Sequence, residues 1–444
     1  MNRYPLLSKT LMIGLLTLLL LIPLGMIESK ISERQYLQTS VQQEIARSSS
    51  GAQTVSGPFL VVSYKLRTRQ TYKDDKGVER INLVEAGPFQ AVFAPHALKI
   101  GASAEVETRS RGIYQARLFT LKSTIRGDFR LPRGYGIAQP MEDILPQAAY
   151  LVLNMSDARG IRNAPRLKLN GTKYEFAPGS VTPLAGAGIH VALPAPEPGQ
   201  AHAYEFEFPF DLQGMRTLAV NPAGDTTEMT LASDWPHPSF GGSFLPRTRT
   251  VNDRGFSAQW LVSNLARNTA TQPGTAQSAG AEAFSVDFID PVNVYLLSER
   301  AVKYGILFVV LVFTAFFLFE VLKSLRIHPM QYLLVGLALA MFFLLIISLS
   351  EHIAFAAAYA ISGIACVTLI GIYMNGVLKN PRLGLGFSAG IAALYAVLYG
   401  VLQSEDNALL TGSLVLFGAL AALMLLTRRM DWYRLNRPEP DTLA

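Results

Sequence analysis

A single cysteine, Cys366, is present in the 444 residues of the sequence, and this excludes an internal disulfide. Any folded domain of the chain must therefore be stable without one. The sequence also lacks a Lys- or Arg-rich run that could neutralise a row of phosphates, although Lys and Arg together outnumber Asp and Glu by 39 to 33. Nucleic acid is for this reason not expected as a partner.

Charge is scarce from about Tyr304 to Thr427, a region that is almost wholly apolar and broken only by short polar turns. A helix of ~20 apolar residues is needed to cross the ~30 Å hydrocarbon core of a membrane. Five such stretches lie after residue 303, and a sixth lies near the start of the sequence. The six predicted spans are Leu6–Ile27, Tyr304–Glu320, Tyr332–Leu349, Ile353–Val377, Leu383–Gln403 and Ala408–Thr427.

The turns between these spans alternate in charge. Two of them carry Glu351, or Glu405 with Asp406, and contain no Lys or Arg. The remaining turns and the two ends carry the basic residues Arg3, Lys9, Lys323, Arg326, Lys379, Arg382, Arg428, Arg429, Arg434 and Arg437. Because positive residues stay on the cytoplasmic side, both termini are predicted to be cytoplasmic. The polar region Glu28–Lys303 is then predicted to form a large domain outside the cytoplasm.

The first apolar stretch could be a cleaved secretory signal or a permanent anchor. It is longer than a usual signal core, and Gly25–Lys30 offers no A-x-A-like cleavage site. We therefore expect an uncleaved anchor. Apolar residues at mostly helical spacing continue through Glu28–Arg47, which predicts that the membrane helix extends to Ser48–Gly51 and packs on its own domain.

From Gly57 onward the pattern changes to short β-type runs separated by Gly and Pro. The predicted strands include Phe59–Tyr64, Phe89–Phe93, Ile113–Thr120, Tyr150–Met155, Tyr204–Phe210 and Phe284–Phe288. Asn170-Gly171 is typical of a tight hairpin turn. The pattern predicts a sandwich-like fold, as one large domain or as two with a break near Arg133–Pro146, and a loop over Ser263–Ala283.

The predicted fold class is a six-span α-helical membrane bundle with a large, mainly-β, sandwich-like periplasmic domain. The predicted segments are residues 1–27 (cytoplasmic start and first span), 28–50 (helical extension), 51–303 (β-rich domain, as one unit or as two subdomains), 304–427 (five spans) and 428–444 (cytoplasmic tail).

Signals for enzyme chemistry are few. None of the six histidines has a close metal-ligand pairing, so neither a metal nor another cofactor is expected. Gly386–Gly390 reads G-x-S-x-G, but it follows no predicted strand, and no histidine comes after His352. Gly386 and Gly390 are instead predicted to form a small-residue face for helix packing.

Ionisable residues are also scarce inside the predicted spans, and this argues against a coupled transporter. Glu320 lies near the cytoplasmic end of the second span, with Lys323 one turn later. A local ion pair between these two side chains at the membrane interface is predicted.

One external segment, Glu228–Pro246, sets aromatic residues among Pro and Gly. Its candidate binding residues are Trp235, His237, Phe240 and Phe244. A rigid loop with exposed rings would suit a ligand or a partner. The alternative is that the rings plug the end of the sandwich.

Several segments, in order along nearly the whole chain, closely resemble the inner-membrane protein CreD family. They are Ser49–Gly51, Val152–Ile161 with Asp157–Gly160, Glu228–Pro246, Arg300–Tyr304, Phe316–Glu320, Arg326–His352 and Asp431–Tyr433. The resemblance implies a Gram-negative inner-membrane protein with a periplasmic domain, tied to envelope integrity and to a regulon under a two-component system. It implies no catalytic residue, substrate or cofactor.

The preferred hypothesis is a non-enzymatic protein of the envelope stress response. Its periplasmic domain would bind an envelope component or a protein partner while the helices hold it in the lipid bilayer. A membrane carrier or flippase for a lipid or cell-wall precursor is the alternative. An envelope hydrolase comes third, because it would require His237 to lie near His190 or His202 and near an acid such as Asp234.

Overall fold

The computed structural model describes residues 5–73, 79–181, 186–267, 282–290, 293–322, 327–378, 380–404 and 408–428. The chain forms two compact units. The first, called the helical unit, comprises Met1–Gln38 and Val292–Ala444; the second, called the β-domain, comprises Thr39–Pro291. Most of the charged turn residues that predict orientation lie outside the described residues: Arg3, Lys323, Arg326, Lys379, Glu405, Asp406, Arg429, Arg434 and Arg437.

The helices, numbered in chain order, are α1 (Pro5–Ser48), α2 (Val294–Leu322), α3 (Pro329–Ser350), α4 (Phe355–Leu378), α5 (Pro381–Gln403) and α6 (Ala408–Thr427). Among the described residues, five helices, α1 to α5, are long and apolar enough to cross a membrane. A shorter apolar helix covers Leu410–Leu425, within α6. The sixth span therefore stays a prediction.

Helix boundaries follow local capping chemistry. At the start of α3, the His328 side chain accepts a hydrogen bond from the Met330 amide, and Gln331 accepts one from the His328 amide. Pro329 and Pro381 stand at first-turn positions, where the missing N–H costs nothing. Helix α2 begins at Val294, ten residues before Tyr304, where the second span is predicted to start; the limit of the span itself stays a prediction.

Within the helical unit, glycines let α1 approach its neighbours closely. A Cβ built on Gly336 of α3 would meet the Leu20 side chain of α1 and would lie 2.9 Å from Phe313 of α2. A Cβ on Gly305 would lie 3.3 Å from Leu24. Leu20 and Leu24 are both buried in consequence.

The β-domain has two sheets of eight strands each among its described residues. The first sheet contains β1 (Gln53–Lys73), β2 (Glu79–Phe93), β5 (Ile144–Met155), β8 (Ala177–Pro178), β9 (Gly188–Leu193), β11 (Thr217–Asn221), β13 (Pro238–Gly242) and β16 (Phe284–Phe288). The second contains β3 (Ala97–Arg111), β4 (Tyr114–Leu131), β6 (Arg166–Leu169), β7 (Thr172–Glu175), β10 (His202–Met215), β12 (Thr226–Ser233), β14 (Thr248–Asn252) and β15 (Gly255–Ser263).

One hydrophobic core lies between the two sheets. It includes Leu60 and Leu151 of the first sheet together with Phe119, Phe208 and Trp260 of the second. The predicted break near Arg133–Pro146 is wrong, because strands from before and after it pair with one another. For example, β1 pairs with β5 and β11, and β3 pairs with β12.

Local predictions for the β-domain agree with the structure in several places. Asn170 and Gly171 both have positive φ, 46° and 88°, and join β6 to β7 as a hairpin. The end of α1 packs on the sandwich, where Ile45 contacts Ala116 and Leu118. Of the predicted loop Ser263–Ala283, the structure describes only residues 263–267 and 282–283, and Ser263 ends β15.

Strand β1 is unusually long, and its pairing changes along its length. Its start, Gln53–Ser56, pairs with β11, and its central part pairs with β5 as far as Leu66. From Arg67 to Lys73 its partner among the described strands is β2 alone. We call this two-stranded projection, Arg67–Lys73 with Glu79–Glu85, the ribbon.

Substitution of Gly336 tests the packing of α1. We expect Gly336→Ala to cost about 1–3 kcal/mol, because the added methyl group would overpack the Leu20 contact. Gly376→Ala is the matched control, since nothing lies within 4 Å of a Cβ at Gly376. The melting temperature of the full chain in nanodiscs should fall for the first variant and hold or rise for the second; equal values would contradict the packing.

Candidate functional site

The predicted binding segment Glu228–Pro246 is mostly strand. β12 ends at Ser233 and β13 begins at Pro238, so the two sheets are joined by a connection of a few residues at the edge of the sandwich. β13 pairs with β16 along its whole length.

Trp235 is held from several sides. Its indole Nε1 donates hydrogen bonds to the carbonyl oxygens of His237 and Ile289, each at 3.1 Å. The guanidinium carbon of Arg117 lies 5.0 Å from the centre of the indole ring, and Arg117 also pairs with Asp290 at 2.7 Å. The ring therefore ties the connection to β4 and to the segment after β16.

The other rings of this segment also face the core. Phe240 contacts Phe256 and Trp260 edge-on, with ring centres 5.5 and 5.9 Å apart. Phe244 is partly buried and packs against the same core, whereas His237 is exposed. Trp235, Phe240 and Phe244 thus pack against the core, as in the alternative that the rings plug the end of the sandwich. A binding role for the segment stays a prediction.

The predicted helix-packing face of α5 is wrong for contacts within this chain. Gly386 and Gly390 are exposed, and no described atom lies within 4 Å of a Cβ built on either one. The close approach between α4 and α5 occurs instead at Gly371, where a Cβ would lie 2.5 Å from Ser388 Oγ, and at Gly384, which abuts Asn375. On α5, Gly384 lies two positions before Gly386, which places these two glycines on different faces of the helix.

Two segments that carry the family resemblance meet where α1 ends in the β-domain. Ser49 Oγ donates to Gln213 Oε1 at 2.9 Å, and Ser50 Oγ donates to the Gln213 carbonyl oxygen at 2.7 Å. Gln53 Nε2 donates to the carbonyl oxygens of Asp157 and Gln213 at 2.9 and 3.1 Å. We call Ser49, Ser50, Gln53, Asp157, Arg159 and Gln213 the junction cluster.

Arg159 completes the junction cluster. Its guanidinium donates to the carbonyl oxygen of Arg47, in the last turn of α1, and to Asp157 Oδ2 at 2.6 Å. The Arg159 guanidinium thereby lowers the pKa of the Asp157 carboxyl. Gly160 is needed for close approach, since a Cβ there would collide with the Gln213 carbonyl and the Gln53 amide. The cluster thus fixes the end of α1 to β1 and β10.

A buried charge in the helical unit is also fully paired. Glu320 is 4% exposed and forms an ion pair with Lys9 of α1. It also accepts hydrogen bonds from the Tyr332 hydroxyl at 2.8 Å and the Ile327 amide at 3.0 Å. The predicted interface pair with Lys323 stays a prediction, because Lys323 lies outside the described residues.

A second polar group of the helical unit surrounds Glu351, which follows α3. Its carboxylate lies 3.3 Å from Arg34 Nε of α1 and accepts a hydrogen bond from the Tyr295 hydroxyl at 3.3 Å. Lys9 and Arg34 are separated by 25 residues of continuous helix, which corresponds to ~37 Å at 1.5 Å per residue. The apolar part of α1 between them, residues 10–27, measures ~27 Å at 1.5 Å per residue, close to the ~30 Å of a hydrocarbon core.

Between these two polar groups the helical unit is packed with aromatic rings. Tyr395 of α5 lies 4.6 Å from Phe308 of α2 and 4.2 Å from Phe342 of α3, measured between ring centres. A crevice of about 30 Å³ among α2, α5 and α6 is lined by apolar side chains.

The histidines proposed for a hydrolase have separate neighbours. His190 Nδ1 bonds to the Gly179 carbonyl oxygen and His202 Nε2 bonds to the Glu197 carbonyl oxygen, whereas the ring of His237 lies beside Trp235. Among the residues that the structure describes, no three His, Cys, Asp or Glu side chains are grouped to hold a metal ion.

The ribbon is a surface that the sequence analysis did not identify. In β2, Ile81 and Leu83 are 65% and 56% exposed, and Tyr72 of β1 is 51% exposed. No described strand pairs with the outer edge of β2, which leaves a row of backbone N–H and C=O groups open. In the sequence, apolar and polar residues alternate only over Thr71–Lys73 and Ile81–Leu83. This alternation is too short to predict whether the two strands project from the domain or form a buried hairpin.

Long apolar helices together with a large β-sandwich define a multi-pass membrane protein with one folded domain outside the hydrocarbon. The chain belongs to the Inner membrane protein CreD family, whose family model matches residues 5–433. It is 38% identical over 426 residues to Inner membrane protein CreD of Escherichia coli (strain K12), with 95% of this chain and 92% of that protein covered. The resemblance seen in the sequence is thereby confirmed, and the chain is a multi-pass inner-membrane protein.

Solved structures resemble only part of the chain. An M1 zinc metallopeptidase from Deinococcus radiodurans matches with 10% identity and a TM-score of 0.22, covering 44% of this chain and 42% of that one. Yeast LTA4 hydrolase in complex with bestatin matches with 9% identity and a TM-score of 0.19, covering 46% of this chain and 30% of that one. Likenesses this weak carry no functional argument.

Truncation of Trp235 separates packing from binding in the aromatic segment. Trp235→Ala should destabilise the β-domain by about 2–4 kcal/mol, because it removes a partly buried ring and two hydrogen bonds. His237→Ala is the control, since its side chain is exposed and the hydrogen bond from Trp235 goes to its backbone oxygen, which the substitution keeps. Thermal unfolding and the amount of protein in the membrane are measured; a stable Trp235→Ala variant without function would instead support the predicted binding role.

The buried ion pair gives a second stability test. Lys9→Met alone should cost about 3–5 kcal/mol, because it leaves the Glu320 carboxylate buried without its cation. The double variant Lys9→Met, Glu320→Met should recover most of that loss, since neither charge then remains. Melting of the three proteins in nanodiscs gives the comparison, and a neutral Lys9→Met would show that the pair does not form.

Proposed function

We propose that this inner-membrane protein supports the integrity of the cell envelope without catalysing a reaction. Its β-domain lies in the periplasm and binds another protein there, while the helices anchor it in the bilayer. The observation that carries the proposal is the ribbon, a projecting pair of strands with exposed apolar side chains and an open backbone edge.

The distribution of polar contacts in the helical unit supports this orientation. Lys9, predicted to be cytoplasmic, groups with Glu320 and Ile327 near the turn after α2. Arg34 and Tyr295 group with Glu351, which is predicted to be periplasmic. The chain leaves the helical unit after Gln38 and returns before Asn293, and both points are close in sequence to Arg34 and Tyr295. Residues near both sequence boundaries of the β-domain are thus grouped with Glu351, the residue predicted to be periplasmic.

The physical state of the ribbon favours a protein partner. A two-stranded hairpin on its own is marginally stable in water, and it gains stability when a further strand or surface covers it. An exposed edge with apolar residues also promotes aggregation unless it is covered. Binding an extended protein segment along the edge would satisfy the backbone groups and bury Ile81 and Leu83 together.

The carrier alternative is less well supported. A polar or hydrated cavity within the helices would favour it, but the described helices are filled by rings around Tyr395. The acidic residue Glu320 is already satisfied by Lys9, Tyr332 and a backbone amide, which suits a structural role near one end of the unit.

Charges placed on the ribbon test the proposed function. The double variant Ile81→Lys, Leu83→Lys should fail to restore detergent tolerance, taken as the measure of envelope integrity, in a strain without the endogenous copy, because lysines on an edge strand oppose strand pairing. Protein amount and membrane insertion should be unchanged, since both side chains are exposed.

The control for this experiment is Thr248→Lys, Thr250→Lys on β14, which is an exposed edge strand of the other sheet. It places the same two charges at the same spacing and should restore tolerance fully. Full restoration by the ribbon variant as well would refute a role for the ribbon.

A further inference from the structure

Within the ribbon, the order of charged, apolar and polar residues in β2 is nearly the same when the sequence is read in either direction. Glu79 and Glu85 stand at the two ends, Ile81 and Leu83 lie inside them, and Asn82 is the centre. The symmetry is broken only by Arg80 and Val84. A strand of this kind can pair with a second copy of itself about a two-fold axis.

The edge needed for such pairing is open. β2 pairs with β1 from Lys73 opposite Glu79 to Leu60 opposite Phe93. On its other side, no strand in the described part of the chain is hydrogen-bonded to it. Antiparallel pairing with an identical strand would therefore use the outer edge of β2, with which no described strand pairs.

The apolar side chains match when Asn82 lies at the axis. Residues directly opposite each other in an antiparallel pair point to the same face, so Ile81 of each copy would face Leu83 of the other. The contact is isologous and would be made twice, which gives four apolar side chains in one patch. Thr71 and Arg69, opposite Ile81 and Leu83 in β1, border that patch on the same face.

The same register places carboxylates opposite each other, Glu79 of one copy facing Glu85 of the other. Each already has a cation in its own copy. Lys73 is opposite Glu79, and Lys65 Nζ lies 3.1 Å from Glu85, with Arg67 opposite it. These cations offset the repulsion that two opposed carboxylates would otherwise cause.

A neighbouring register is much less favourable. With Leu83 at the axis, Ile81 would face Glu85 of the second copy, and Asn82 would face Val84. Apolar and polar side chains would then be mixed on both faces. The side-chain pattern selects the register centred on Asn82.

We infer that the ribbon binds a second copy of this chain, with the two β2 strands paired antiparallel about Asn82 to join two first sheets into one. This inference rests on the proposed function, because both use the ribbon as the binding surface. It adds that the protein bound there is a second copy of this chain. The dimer would cover the open edge and bury the exposed Ile81 and Leu83.

Disulfide trapping tests the inference with the full chain in native membranes. The only natural cysteine, Cys366, is buried, so the unmodified chain is a suitable background. Opposed Cα atoms in an antiparallel pair are ~4.5–5.5 Å apart, within the ~4.4–6.8 Å that a disulfide spans. Asn82→Cys should therefore form a covalent dimer under mild oxidation, at least tenfold more than the control.

The control is Gln70→Cys, which is opposite Asn82 in β1, equally exposed and on the same face. Across the joined sheet its mate would be three strand spacings away, ~14 Å, too far for a disulfide. As a check on register, co-expressed Ile81→Cys and Leu83→Cys chains should crosslink to each other more than either does to itself.

The outcomes separate this inference from the proposed function. Equal dimer yields at Asn82 and Gln70, or crosslinks from Asn82→Cys only to a different protein, would overturn self-pairing. If the Ile81→Lys, Leu83→Lys variant still failed to restore envelope tolerance in that case, the ribbon would bind another protein and the proposed function would stand. Selective dimerisation at Asn82 together with the cross-pairing of Ile81→Cys and Leu83→Cys would support self-pairing.

Discussion

The need to pair every backbone N–H and C=O group shapes both units of this protein. In hydrocarbon no water is available, and only helices satisfy these groups within one segment. In the β-domain they are satisfied between neighbouring strands, so each strand depends on the next, and two sheets enclose one core. Along the outer edge of β2, the backbone N–H and C=O groups have no partner strand among the described residues. The functional surface is proposed at this edge.

Buried polar groups follow the same rule, and they mark the points at which segments distant in sequence are joined. Glu320 is paired with Lys9 across 311 positions of sequence, and a tyrosine hydroxyl and an amide complete its bonds. Gln53 and Gln213 act similarly in the junction cluster, where two peptide carbonyls and two serines are satisfied together. Removing one member of such a group leaves the other buried polar groups without hydrogen-bond partners. These sites therefore stabilise the packing of α1 in each unit.

Segments through which the chain resembles its family converge on these joints. Ser49–Gly51 and Asp157–Gly160 meet in the junction cluster, and Phe316–Glu320 meets the start of Arg326–His352 around Glu320. Their separation in the sequence hides that association, because periodicity reports only which face of an element is apolar. For the same reason the sequence indicated glycines on α5 but not which of its faces α4 contacts. It also left open whether the aromatic rings near Trp235 bind a partner or plug the end of the sandwich.

The sequence by itself determined the membrane helices, the β-rich character of residues between them, the Asn170-Gly171 hairpin and the family. These depend on local composition and on the period of apolar residues, which a single chain displays directly. Only the tertiary structure decided that the strands form one sandwich, that Lys9 pairs with Glu320, and that β1 and β2 project as a ribbon. Each of these depends on which strand or helix lies beside another, and that is set by long-range packing and hydrogen bonding.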